Sequence, residues 1–369
     1  MTAADRWRWR GSVAMLAVCA AFVIYPLIEQ GSQVINSDWP AFATGARLIA
    51  TDPGHLYDLS VQERVEKDVT GGRVLVTLGI HGILPFLAPA WVALFALPFE
   101  ALGTELGGRQ WMLFGLACLA AGLYLATRPR PPTAILPGFA SVPTAVMLLN
   151  AQLDGIVALG LGAAVFLWPR QYLAGLALGL TLVKPQLVLP LGVALLAARL
   201  WRALAGWATA GVALLAASSA FNPRWIFEWL GPAGGTVQPG AREVDLAHLS
   251  ELLPAGRTAA LALLTLLAVA AVVLLARRAR VDVRAAAAIL VAGGIAAAPH
   301  ALPADMVLGA VSLAVWGKAN WFDWLALSAG TLVAALTPAP LPVFAGVLTI
   351  GWICLREAGG VTSLRWRPG

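Results

Sequence analysis

The sequence predicts an all-α fold, a polytopic transmembrane helical bundle of about 12 helices. The chain of 369 residues is 59% hydrophobic and 12% charged, whereas a soluble domain is roughly a quarter charged. Its mean hydropathy is +0.78. Its charged residues cluster between apolar runs of about the length that crosses a ~30 Å hydrocarbon core, which selects helices over barrel strands. The net charge of +6 therefore does not read as a nucleic-acid surface. Most of the excess arginine falls in short loops, where it orients helices against an anionic leaflet. Cys19, Cys118 and Cys354 lie inside apolar segments without metal spacing and read as buried small hydrophobes.

Each element follows in order. Arg6, Arg8 and Arg10 precede an apolar run from Ser12 to Glu29 that lacks a small-residue cleavage site, so it reads as a retained first helix starting in the cytoplasm. The segment 31–79 is the longest without a spanning helix and carries many charges. In it Trp39, Phe42, Ala46, Leu48 and Ile49 recur at helical spacing before the stop signal Thr51-Asp52-Pro53-Gly54, so it reads as an external loop with amphipathic helices. Further apolar segments run over Ile80–Leu102, Gln110–Thr127, Ala134–Leu149, Ile156–Trp168, Tyr172–Val183, Leu187–Ala198, Leu204–Phe221, Thr258–Ala276, Ala285–Ala298, Met306–Trp316, Trp321–Leu336 and Val343–Leu355. Several are too short to span straight, the pattern of broken helices bordering a cavity. Two ordinary crossings between Ile80 and Thr127 would place Arg128 and Arg130 outside, so either that loop violates the charge rule or one segment is re-entrant. The segment 222–256 reads as a second external loop on the same face as Asp38, within a single transmembrane domain spanning 1–369. Trp168, Trp201, Trp207, Trp225, Trp229, Trp316, Trp321, Trp324 and Trp352 fall near helix ends, as an interfacial belt would.

Five polar positions stand out. Asp38, in Asn36-Ser37-Asp38-Trp39, follows the first helix and is either interfacial solvation or a base held at the membrane surface. Lys184 is one of three lysines and interrupts an apolar run directly before Pro185-Gln186. A lysine at mid-helix costs about 2.5–3.5 kcal/mol on insertion scales, so it faces a partner or a cavity, or else snorkels from a helix end. Asn150-Ala151-Gln152-Leu153-Asp154 is either a polar hairpin turn or a second cluster on the Lys184 face. His300 sits between Pro299 and Pro303 with Asp305 nearby, either as a solvated histidine or as a group that meets a phosphate or shares a proton. His81, before Gly82-Ile83-Leu84-Pro85, is a weaker candidate of the same kind. No phosphate loop, dinucleotide fingerprint, paired zinc histidines or dense carboxylate cluster is visible, so the expectation is no metal and no cofactor.

Three features together carry a family resemblance: Asp38-Trp39 with the run Ala46 to Asp58, the His81 to Pro85 stretch, and the block Tyr172 to Gly179 leading to Lys184-Pro185-Gln186 and Arg199-Leu200-Trp201-Arg202. The chain resembles the bacterial membrane glycosyltransferases of GT-C fold, specifically the polyprenol-phosphate-mannose-dependent alpha-mannosyltransferases, over about Ser12 to Phe221. The resemblance implies a GT-C-like bundle in the bacterial inner (plasma) membrane with its site facing the periplasm or exterior. It implies a sugar, mannose, moving from a polyprenyl-phosphate donor to a hydroxyl of a glycolipid or glycan acceptor, with Asp38 as general base. Lys184, His300 and Arg47 would hold the lipid phosphate, with Gln186, Asn150, Gln152 and His81 as further substrate contacts. Relatives tend to carry Gly in the turn where this chain has Asn150-Ala151-Gln152. The alternative from another class is a secondary transporter or lipid-linked-sugar flippase, since broken helices with a central lysine are also transporter signs.

Overall fold

The computed structural model describes residues 32–73, 75–77, 80–82, 84–235, 242–250 and 283–362, with isolated positions 10, 13, 14, 17, 20, 21, 24 and 270. The expected first helix and the segment Thr258–Ala276 lie almost wholly outside these residues. The described chain is helical apart from one antiparallel hairpin, Leu75–Thr77 with Ile80–Gly82, in which Val76 pairs with His81. That hairpin departs from the all-α expectation, which is otherwise met.

The segment 31–79 carries two helices of more than ten residues. The Trp39–Thr51 helix has Pro40 in its first turn and ends at Asp52, whose backbone N–H reaches Leu48 O at 2.8 Å. The Leu59–Thr70 helix is capped by Asp58, which accepts from Ser60 N and Val61 N, and it stops at Gly71, whose φ of 64° suits glycine. Its buried face is partly polar. Gln62 donates to Leu56 O and Phe86 O and accepts from Phe86 N at 2.7 Å, while Glu66 accepts from Leu84 N at 2.9 Å. The extended stretch after the hairpin is thereby held without a third strand. At the Glu66 site, burial pushes the carboxyl up to about 7.

The segment Ile80–Leu102 is not an ordinary crossing. Its helix, Ala90–Glu100, has 11 residues, about half the length needed for a ~30 Å core. Both ends return to the Trp39–Thr51 region. Glu100 pairs with Arg47, and at the other end Ala88 O accepts from the Tyr57 hydroxyl at 2.9 Å. The next helix, Thr104–Thr127, has 24 residues and is long and apolar enough to cross. Trp39 Nε1 donates to Thr104 O (2.8 Å) at its start, and Arg284 Nη1 donates to Ala126 O (2.7 Å) at its end. Arg130 donates to Ala314 O, so Arg128, Arg130, Arg284 and the turn at Gly317 gather at the end of the bundle opposite Asp38.

Among the described residues, Thr104–Thr127 and Leu341–Ala358 meet the length of a straight span, and Pro132–Phe139 with Val142–Leu149 forms a pair bent by 65° that is either a broken span or a re-entrant loop. The expectation of about 12 counted short apolar segments as spans. Those segments are present as short helices, among them Asp154–Phe166, Gln171–Leu178, Leu189–Ala197, Val307–Trp316 and Trp321–Leu336. Chain segments without a driving force from water associate through close backbone packing, which small residues permit. A Cβ placed on Gly162 would lie 2.0 Å from Gly122 O, and one on Gly155 would lie 2.0 Å from Gly115 O, so Thr104–Thr127 and Asp154–Phe166 touch backbone to backbone. Gly175 and Gly206 do the same for Gln171–Leu178 against Trp201–Ser219. Val307–Trp316 is buried on every side and forms the centre of the bundle. The tryptophan belt is partial. Trp201 is 58% exposed, but Trp225 is 1% exposed and packs edge-on against Trp91, so it belongs to the core.

Candidate functional site

Asp38 immediately precedes the Trp39–Thr51 helix without capping it through its side chain, at a junction where Ser37 Oγ donates to Val34 O and accepts from Trp39 N. Its backbone N–H donates to Asn150 O (3.2 Å), and the Gln152 side-chain amide donates to its Oδ2. The turn Asn150-Ala151-Gln152 is therefore a partner of Asp38 and not a free hairpin. Asn150 Nδ2 donates to Val146 O at 2.9 Å, and Trp111 Nε1 donates to Ala151 O at 2.8 Å, which fixes the turn. Ala151 has φ of 51°, the left-handed region that favours glycine.

Burial raises the Asp38 carboxyl to about 7; Lys184, the Gln152 hydrogen bond and His300 act against this shift, and Asp305 adds to it. Asp38, Lys184, Asp305 and His300 thus share one electrostatic neighbourhood. A half-buried carboxyl poised near neutrality is suited to take a proton from a hydroxyl.

Lys184 occupies the break between two short 3-10 turns, Gly179–Val183 and Pro185–Val188, and does not snorkel. Its side chain is 10% exposed. Nζ donates to Asp154 Oδ2 at 2.9 Å and to Asp305 Oδ1. Asp305 Oδ2 accepts from Leu302 N at 2.6 Å, closing the turn Pro303–Met306. One ammonium with two carboxylates ties three distant segments together, and the ion group satisfies what either carboxylate alone would leave exposed to a low dielectric. Trp91 Nε1 donates to Leu182 O at 3.0 Å, joining the Ala90–Glu100 helix to the same place.

The other expected cations also come with acids. Arg47 Nε and Nη2 donate to Glu100 Oε1 at 2.8 and 2.7 Å. His300, half exposed, meets Glu243 Oε1 through Nδ1 at 2.8 Å. Desolvation opposes protonation of this imidazole, but the Glu243 hydrogen bond and charge outweigh it and raise its pKa. Gln186 is half-buried on the Pro185–Val188 turn. His81 lies on the hairpin, and its side chain falls outside the described residues. The segment after the Trp201–Ser219 helix contacts the stretch 53–87: Asn222 Nδ2 donates to Pro53 O at 2.9 Å and Trp229 Nε1 donates to Leu87 O at 2.8 Å. A cavity of about 500 Å³ lined by Trp168, Arg170, Tyr172 and Arg202 lies beyond the far end of the Asp154–Phe166 helix, remote from Asp38.

Sequence reasoning gave Asp154 and Asp305 no role of their own and passed over Glu243, Asp245 and His248. The signal for the first pair was the buried lysine itself, which demands counter-charge. The signal for the second group was the spacing Glu243-x-Asp245-x-x-His248.

No curated protein and no solved structure matches the chain. A model of glycosyltransferase family 87 matches residues 86–303, more than half of the chain, including Asn150, Gln152, Asp154, Lys184 and His300; Asp38 precedes that stretch. With its apolar helices, the chain is a membrane protein and belongs to glycosyltransferase family 87.

Proposed function

We propose that this glycosyltransferase moves a sugar, mannose, from a polyprenyl-phosphate donor to an acceptor hydroxyl on a glycolipid or glycan, with Asp38 as the general base. The observation that carries the reading is the meeting of Asp38 with Gln152, in the neighbourhood of Lys184, Asp305 and His300, at the end of the bundle away from the Arg128, Arg130 and Arg284 cluster. By the charge rule that arginine end is cytoplasmic, so the Asp38 end faces the periplasm or exterior of a bacterial inner membrane. Segments 31–79 and 222–256 are its external loops within one transmembrane domain, which keeps the GT-C-like reading.

A phosphate-linked sugar already has its leaving group, so the protein has two tasks. It deprotonates the acceptor hydroxyl as the new glycosidic bond forms, and it balances the charge that stays on the lipid phosphate when the sugar departs. Asp38 takes the hydroxyl proton. His300 and Arg47, both partly exposed, offer donors to the phosphate. Lys184, held by two carboxylates, positions the turn beside Asp38 and lowers the local negative charge. Asn150, Gln152 and Gln186 would add further substrate contacts. No cofactor takes part in these steps. Membership of a glycosyltransferase family leaves the transporter or flippase reading without support.

The test is transfer from radiolabelled polyprenyl-phosphate sugars to a panel of glycolipid acceptors by the purified protein. Asp38→Asn should lower turnover by about 10² to 10⁴-fold with an unchanged melting profile below pH 5, the usual contribution of a positioned base. A folded Asn variant with full turnover would end the assignment of Asp38.

A further inference from the structure

We infer that Glu243, Asp245 and His248 form a binding site for one first-row divalent cation at the edge of the His300 loop. The three offer Glu243 Oε2, Asp245 Oδ1 and His248 Nδ1, with one donor atom from each residue lying within 4.8 Å of the others. His248 Nδ1 is 3.0 Å from Asp245 Oδ1 and 3.9 Å from Glu243 Oε2. Donor atoms around such an ion stand about 3.0–3.4 Å apart, given bonds of ~2.0–2.2 Å, so closing the set needs movement of one carboxylate by about an ångström.

The observation that points to a ligand is Glu243 Oε2. Glu243 is 6% exposed, yet this oxygen accepts no hydrogen bond. A buried carboxylate oxygen without a donor is costly, and a cation at the centre of the group supplies what is missing. The opposite oxygens are each held from behind. Glu243 Oε1 meets His300 Nδ1 at 2.8 Å, and Asp245 Oδ2 accepts from Ala301 N at 2.8 Å. Contacts of this kind orient the ligating atoms of metal sites. The backbone is fixed as well. Val244 N donates to Ala301 O at 2.8 Å, and a Cβ on Gly346 would come within 2.4 Å of Val244 Cβ, so the segment is pressed against the last helix.

Two carboxylates with one imidazole form a mixed oxygen and nitrogen set. Such a set suits Zn²⁺ or Mn²⁺ better than Mg²⁺ or Ca²⁺, which prefer oxygen alone. The ion would staple the second loop to the Pro299–Pro303 turn that carries His300, while glycosyl transfer proceeds through none of its bonds. The inference is independent of the donor and of the role given to Asp38.

Untagged full-length protein in detergent, stripped with a chelator and dialysed, is titrated with Zn²⁺ and with Mn²⁺. Bound metal is read by elemental analysis and by the Mn²⁺ paramagnetic resonance signal. Saturation at one ion per chain is expected, together with a metal-dependent rise in melting temperature. Glu243→Gln keeps an acceptor for His300, and His248→Gln removes the imidazole; each should weaken binding at least tenfold while melting like the wild type without metal. Absence of saturable binding to the wild type would overturn the site, leaving the group as a histidine paired with two acids. So would equal affinity in either folded variant.

Discussion

The Gln152 side-chain amide donates to Oδ2 of Asp38 across 114 residues of sequence, and it is one of the forces that hold the Asp38 pKa down against burial. Removing this donor leaves burial with less opposition, so the carboxyl pKa rises above its value of about 7. For a general base, activity appears as pH rises through that pKa. Gln152→Ala should therefore move the acid limb of the kcat/KM profile from near pH 7 to higher pH and recover most of the rate on the alkaline side. A uniform loss at all pH values would instead assign Gln152 to substrate contact alone.

The same carboxyl makes stability depend on pH. A group whose pKa is higher in the folded chain than in the unfolded one adds stability that is complete below the unfolded value, ~3.9, and that is lost as pH climbs through the folded value, about 7 here. The wild type should thus lose melting temperature between pH 4 and pH 8 through Asp38, and Asp38→Asn should flatten that slope. At pH 8 the Asn variant should melt above the wild type. Identical slopes in the two proteins would show that the Asp38 proton is not held by the fold.

Lys184 neutralises Asp154 and Asp305 in a site with little exposure. Breaking a buried ion group by removing one partner typically costs about 3–5 kcal/mol, because the remaining charge is uncompensated. Lys184→Met should be destabilised on that scale, and adding Asp154→Asn should recover part of the loss. Asp154 is the better second site, since its Oδ1 accepts no hydrogen bond while Asp305 also closes a backbone turn. Thermal melts of the two variants decide it; no recovery in the double variant would show that Lys184 acts through packing and not through charge.

How much of this was legible in the sequence depends on the scale of the interaction. Asp38, Lys184 and His300 announce themselves because apolar surroundings make a charge conspicuous, and Thr51-Asp52-Pro53-Gly54 marks a helix end by local chemistry alone. The shortness of the Ala90–Glu100 helix was not legible, because the composition of Ile80–Leu102 matches that of a span. The partner of Lys184 was not legible, since Asp154 lies 30 residues away and Asp305 lies 121. Close approach of Gly155 to Gly115 was hidden for the same reason: glycines are frequent in apolar helices, and which of them touch is set by packing. The cluster of Glu243, Asp245 and His248 was in plain view, but it gains meaning only once the burial of Glu243 is known.

Ala151 tests whether the backbone of the Asn150–Gln152 turn, and not its side chains, sets the position of the Gln152 amide. Its φ of 51° costs an L-residue roughly 1–2 kcal/mol. Glycine relieves that strain but gives back about 0.5–1 kcal/mol in chain entropy and the packing of one buried methyl group, so Ala151→Gly should be nearly neutral and remain active. Valine at the same place adds a branched side chain to a conformation it rarely adopts, in a site that is 2% exposed. Overpacking alone costs about 1–3 kcal/mol. Ala151→Val should therefore melt lower, and it should shift the acid limb of the rate profile in the direction given by Gln152→Ala, because the displaced turn withdraws the amide from Asp38. A Val variant that melts lower but keeps the wild-type pH profile would separate the turn from the base.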